Sequence, residues 1–147
     1  MITVLIIRPQ RDEDKAAIKT ILDELDLFYA GLKIEDFWVA EQDKTIVGCL
    51  QLTDYKDFLF LGSLGISLRL QKSGLGKALM DKVLKNAQKT VYLYTVIPNF
   101  FAKLGFKVIN NPPHNLPRKA SYGCENCHPK RCATMRKETN AARISQL

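Results

Sequence analysis

The chain of 147 residues lacks any apolar run approaching the length of a bilayer span, and Met1-Ile2-Thr3 is not a basic lead into an apolar block. A transmembrane helix and a signal peptide are therefore not read here, and a cytoplasmic location is expected. Internal repeats and low-complexity segments are absent too, which sets aside solenoids and fibrous arrays. Acidic side chains are the minority: 15 Asp and Glu against 22 Lys and Arg leave a net charge of +7. An anionic partner follows, whether a nucleotide-like cofactor, an acidic substrate or nucleic acid. The positive charges are scattered, with the densest cluster at Pro129-Lys130-Arg131 and Arg136-Lys137 near the end, so neither nucleic acid nor a membrane is an expected partner. What is present is ordinary for a soluble globular protein: 46% hydrophobic and 25% charged residues. The length suits one domain with a real core, assigned to residues 1–137, with 138–147 as a frayed tail.

The most informative stretch is Gln71-Lys72-Ser73-Gly74-Leu75-Gly76-Lys77. Before it, Phe58 to Ser67 reads as a buried strand. After it, Leu75, Leu79, Met80, Val83, Leu84 and Ala87 recur at helical spacing and give one apolar face. A glycine turn entering a helix presents unpaired N–H groups at the positive end of the helix dipole, which makes a cradle for phosphate or pyrophosphate. Gly74 and Gly76 let the backbone approach such an anion, and Lys72 and Lys77 add charge beside it. The bland alternative is a simple strand-to-helix turn.

Around this centre the chain alternates. Thr3 to Ile7 reads as a strand, and Asp12 or Asp14 starts a helix with the stripe Ile18, Ile21, Leu22, Leu25 and Phe28. Phe37 to Glu41 and Thr45 to Leu52 form a hairpin around Gln42-Asp43-Lys44. Gly62 and Gly65 inside the next strand predict a bulge there or a close approach of another group. Val91 to Thr95 is a strand on which Tyr92 and Tyr94 share a face. Pro98 opens a short helix that Gly105 closes, Phe106 to Ile109 is extended, and Arg131 to Lys137 is the last strand. The order predicts a mixed α/β (α+β type) domain with a mostly antiparallel sheet.

This order, with Q-x-x-G-x-G at the junction of the fourth strand and its helix, resembles the GNAT superfamily of N-acetyltransferases. Ile7-Arg8-Pro9 with Glu13-Asp14, the hairpin Phe37 to Leu52, Ser63 to Met80 and Pro98 to Val108 are each similar to segments of that family. The resemblance implies a sheet flanked by helices and splayed at strands 4 and 5, with acetyl-CoA as cofactor. It places the pyrophosphate on the Gln71–Lys77 turn, the pantetheine arm beside Leu64, Gly65 and Ile66, and Phe101 near the cofactor. An N–H near Ile66 would polarise the thioester carbonyl. Many relatives carry a tyrosine acid where this chain has Phe100-Phe101, and a glutamate base at about Phe60. That departure resembles the N-acetylglutamate-synthase-like branch, which acts on amino acids and similar small amines. Candidate proton acceptors are Glu41, Asp54 and Asp57, each also readable as a solvated carboxylate; Ser63 and Ser67 are read as strand polar residues that could order a water. Tyr122 is the candidate replacement acid.

Cys124-x-x-Cys127 followed by Cys132, with His128 adjacent, is the second unusual feature. Thiolates so close together in a reducing compartment suit zinc better than a disulfide framework, with His128, His114 or Cys49 as a fourth ligand. The favoured reading remains small structural cysteines, because only one C-x-x-C pair is present. The sequence therefore points to an acetyl-CoA-dependent N-acetyltransferase acting on a small primary amine by direct transfer in a ternary complex, with a homodimer left open. The alternatives are an acyl-CoA sensor without turnover, an enzyme acetylating polypeptide amines, and a small metal-binding regulatory domain.

Overall fold

The computed structural model describes residues 4–29, 31–118 and 132–139. Its strands are β1 (Leu5–Pro9), β2 (Phe37–Gln42), β3 (Thr45–Asp54), β4 (Leu59–Ile66), β5 (Val91–Thr95), β6 (Lys107–Val108) and β7 (Ala133–Lys137). The helices are α1 (Lys15–Glu24), α2 (Leu75–Leu84) and α3 (Pro98–Ala102). The strands form one sheet in the order β1-β2-β3-β4-β5-β7-β6. Neighbours are mostly antiparallel, but β4 and β5 run parallel, with Leu59–Leu61 registered on Val91–Leu93. That parallel ladder ends at Leu61 while β4 continues to Ile66, the region where the splay of the fourth and fifth strands was expected. The expected α/β class and mostly antiparallel sheet are therefore what is found.

Two compact units divide the chain: Met1–Leu52 with Ser63–Asn86, and Thr53–Gly62 with Ala87–Leu147. In the first, the α1 residues Ile18, Ile21 and Leu22 are buried against Phe37, Val39 and Cys49. Each such large side chain contributes roughly 1.5–3 kcal/mol through removal from water. The stripe expected to reach Phe28 ends earlier. Leu25 caps α1, and Phe28 lies beyond the helix, 38% exposed, with the Lys19 ammonium 4.9 Å from its ring centre. A 3-10 turn at Asp12–Asp14 precedes α1, and Asp14 is its N-cap. Asp14 is buried because Arg8 reaches it from β1 with paired hydrogen bonds of 2.7 and 3.1 Å, while the Arg11 amide donates at 2.7 Å. On α2, Leu75, Leu79, Met80 and Val83 are buried, as their spacing demands, and the helix contacts β1 and β2.

The second unit contains an aromatic cluster of Phe58, Phe60 and Tyr92, joined by Tyr94, Ile109 and Leu116. Phe58 meets Tyr92 edge-on at 5.5 Å, Phe60 meets Tyr94 at 4.8 Å, and the Tyr94 hydroxyl donates to the Pro117 carbonyl. The shared face of Tyr92 and Tyr94 thus serves packing. Gly105 closes α3 at φ +95, a left-handed conformation that glycine adopts without a β-carbon penalty. The last strand starts at Ala133, so Cys132 sits just before it, half-buried, with a free thiol. No helix among the described residues is long and apolar enough to cross a membrane.

Candidate active site

The turn between β4 and α2 is held by its own short-range bonds. The Ser67 amide donates to the Val47 carbonyl at 2.9 Å, and a 3-10 turn covers Leu68–Leu70. Gln71 Nε2 then reaches back to the Ile66 carbonyl at 3.2 Å, tying the far side of the turn to the end of β4. Lys72 is left-handed at φ +66, and the Ser73 hydroxyl donates to the Leu70 carbonyl. Because that hydroxyl points back into the turn, it leaves the helix end alone. Gly74 is the N-cap of α2 at φ +88 and ψ 0, with no side-chain cap hydrogen bond. Nothing lies within 4 Å of the position a β-carbon would take there. The first-turn amides at Leu75, Gly76 and Lys77 follow that open position, at the positive end of the helix dipole. Lys72 and Lys77 are exposed beside it, and Lys77 Nζ is 2.7 Å from Asp81 one turn on. Such an end can hold a phosphate or diphosphate.

Along β4, Leu64 and Ile66 are half-buried and Gly65 is buried. The irregularity expected at Gly62 or Gly65 is found between them, at Ser63, which has φ +50. Gly65 shows the other feature expected of these glycines, a close approach to the backbone. A β-carbon there would stand 3.1 Å from Ile21 Cγ2 and 3.4 Å from Cys49 Sγ, so the strand lies directly against α1. Gly48 likewise lies under β4, where a β-carbon would meet Ile66 Cδ1 at 3.0 Å. Cys49 is fully buried, and burial pushes its thiol up to about 12, which leaves it neutral and unreactive.

A polar group missed by the sequence reading stands beside Ser63. Gln51 of β3 is only 3% exposed, and its Oε1 accepts from Tyr29 Oη at 3.3 Å and from Ser63 Oγ at 3.5 Å. The available signal was one amide side chain within the apolar strand Thr45–Asp54.

The titratable candidates are spread out. Glu41, in the first unit, lies 3.4 Å from the Arg8 guanidinium, which Asp14 also grips. The hydrogen bonds from Arg8 hold the Asp14 carboxyl below the usual carboxylate range, and those acceptors raise Arg8 in turn. Asp54 and Asp57 belong to the second unit. Asp54 accepts from Lys89 Nζ at 2.7 Å and from the Lys56 amide at 2.8 Å, and these bonds, Lys89 foremost, hold it low. Asp57 is exposed in the β3–β4 turn. Phe101 is 5% exposed and meets Phe100 and Phe106 edge-on at 5.0 and 5.9 Å. Tyr122, Cys124, Cys127 and His128 lie outside the described residues. Among the described residues no three His, Cys, Asp or Glu side chains group as metal ligands.

A family model described as the acetyltransferase (GNAT) domain matches residues 33–108, which runs from the approach to β2 through the Gly74 turn to β6. The chain belongs to the GNAT acetyltransferase family. This GNAT chain is also 30% identical over 105 residues to an uncharacterized N-acetyltransferase of Chlorobaculum tepidum, an overlap of 68% of the chain and 66% of that relative. Its fold is shared with N-acetylglutamate synthase from Neisseria gonorrhoeae complexed with coenzyme A and N-acetyl-glutamate. There the TM-score is 0.72 at 18% identity, covering 91% of this chain and 35% of that one. It is shared too with Arabidopsis thaliana Naa50 in complex with the bisubstrate analogue CoA-Ac-MVNAL, at a TM-score of 0.68 and 18% identity, covering 92% and 99%.

Proposed function

We propose that this GNAT chain, residues 1–137 acting as one acetyltransferase domain, transfers the acetyl group of acetyl-CoA to the primary amine of a small molecule such as an amino acid. The observation that carries this is the uncapped, unobstructed helix end at Gly74, continuous through Gln71 with the β4 segment Leu64–Ile66. Acetyl-CoA supplies an activated acyl group. The amides from Lys72 to Lys77 bind its diphosphate, with Lys72 and Lys77 adding charge, and the β4 backbone runs along the thioester arm. The Ile66 N–H donates to the carbonyl oxygen as negative charge builds on it, in a site where such a donor is worth far more than in water. The amine nitrogen bonds to the acyl carbon, the carbon–sulfur bond breaks, and the amine's proton leaves while the thiolate gains one. Asp57 or a water held by Glu41 takes the first proton, and Tyr122 supplies the second. Glu41 already faces Arg8 at 3.4 Å, so proximity and the backbone donor carry most of the acceleration. Phe101 flanks the cofactor, and the cysteines, apart from any zinc at Cys124, Cys127, His128 and Cys132, take no part in transfer.

The complexes of related folds with coenzyme A support the cofactor, and the synthase bound to N-acetyl-glutamate supports an amino-acid acceptor. Thiol release from acetyl-CoA, measured with a panel of amino acids, polyamines and peptide amino termini, tests the reading. Turnover with free amino acids or other small amines is the expected result. Turnover confined to peptides would reassign the acceptor to polypeptide chains. Tight coenzyme A binding with no turnover on any amine would make the chain a sensor.

A further inference from the structure

Ser63 is a left-handed, non-glycine residue in the middle of a β-strand, a strained conformation that persists only where neighbours fix it. What faces it is Gln51. The amide oxygen of Gln51 is removed from water and shared by two hydroxyls, from Tyr29 in the segment after α1 and from Ser63 itself. Both distances are long for hydroxyl bonds, so their individual strength is modest. Their weight comes from the burial of Gln51, which is 3% exposed while Tyr29 and Ser63 are half-buried.

We propose that Gln51 is a positioning residue for acetyl transfer: its amide oxygen fixes the left-handed conformation of Ser63 (the bulge), and that conformation sets the path of the backbone from Leu64 to Ile66. A left-handed residue redirects the peptide that follows it, so the conformation of Ser63 bears on the path by which the chain continues in β4 to Ile66. Those amides belong to the segment assigned above to the thioester, so the inference rests on the proposed acetyltransferase reading. Gln51 touches no reacting atom; it acts through Ser63.

The test compares the parent, Gln51→Met, and Gln51→Met combined with Ser63→Gly. Methionine keeps the volume but offers no oxygen. Glycine adopts φ near +50 without strain, so it should hold the bulge unaided. Gln51→Met is expected to lower kcat about 10- to 100-fold, the scale of a misaimed oxyanion donor, with the KM for acetyl-CoA changed by less than about threefold. Adding Ser63→Gly should recover kcat to within about threefold of the parent. Amide hydrogen exchange at Leu64 and Gly65 in ligand-free protein should shift about tenfold in the single variant and return in the double variant. A single variant with parental kcat and exchange overturns the proposal. So does a loss of kcat with no rescue by glycine, which marks Gln51 as structural support only. If the parent itself turns over no amine, the acetyltransferase reading fails, while the exchange comparison still decides whether Gln51 sets the bulge.

Discussion

Replacing Gly74 separates two roles that a glycine at a helix entrance can have. The residue sits at φ +88 and ψ 0, and beyond its chain neighbours no atom stands within 4 Å of its absent β-carbon. Alanine would meet no clash, so its effect on stability is backbone strain of about 1–2 kcal/mol, or about 2–8 °C in Tm for a chain of this size. Asparagine tolerates the left-handed region, so Gly74→Asn should unfold within about 2 °C of the parent. Both side chains nevertheless enter the space before the first-turn amides of α2. Displacing an anion from one charge-assisted bond costs about 1.5–3 kcal/mol, equivalent to a coenzyme A Kd weaker by about 10- to 150-fold. Calorimetric titration of coenzyme A, paired with thermal melts, reads both quantities. The reasoning is refuted if Gly74→Asn binds coenzyme A as tightly as the parent, or if affinity merely follows Tm across the variants.

The buried Arg8–Asp14 pair gives a second expectation. Asp14→Ala leaves the guanidinium with Glu41 at 3.4 Å and the Pro9 carbonyl at 3.2 Å but without its paired carboxylate, and urea titration at pH 7 should show a loss of about 3–5 kcal/mol. Asp14 is held below its unfolded value, so its contribution is present above the ordinary carboxylate range and is lost as pH falls through the folded value. The gap between parent and variant should therefore narrow on acidification toward pH 3; a gap that widens would reverse the assignment. The thiols provide a third expectation. Cys49, pushed up to about 12 and fully buried, should escape iodoacetamide at pH 8 in native protein and react only after denaturation. Peptide mapping that finds native Cys49 alkylated before Cys132 would contradict the buried placement.

Much of the frame was legible because it rests on local pattern. The stripe from Leu75 to Val83, the hairpin around Asp43-Lys44 and the strand Val91–Thr95 follow from periodicity and turn chemistry over short spans. Ser63 was not legible, since serine carries no backbone signature for the left-handed region; the glycines on either side drew attention to the strand but not to the right residue. Gly65 and Gly48 turned out to be packing glycines, a distinction that depends on Ile21, Cys49 and Ile66 approaching from elsewhere in the chain. The grip of Arg8 on Asp14 and Glu41 likewise joins residues that only the folded sheet brings together. Pairing of β6 and β5 through β7 joins residues far apart in the chain, which no local rule specifies.

The inward-turned Ser73 hydroxyl has a practical corollary. With that serine occupied elsewhere, α2 starts without the side-chain cap that most helices recruit, and an anion bound there would complete its first turn. Buffer composition is then part of the folding equilibrium: sulfate or inorganic phosphate should raise the melting point where chloride does not, and should also mask weak coenzyme binding.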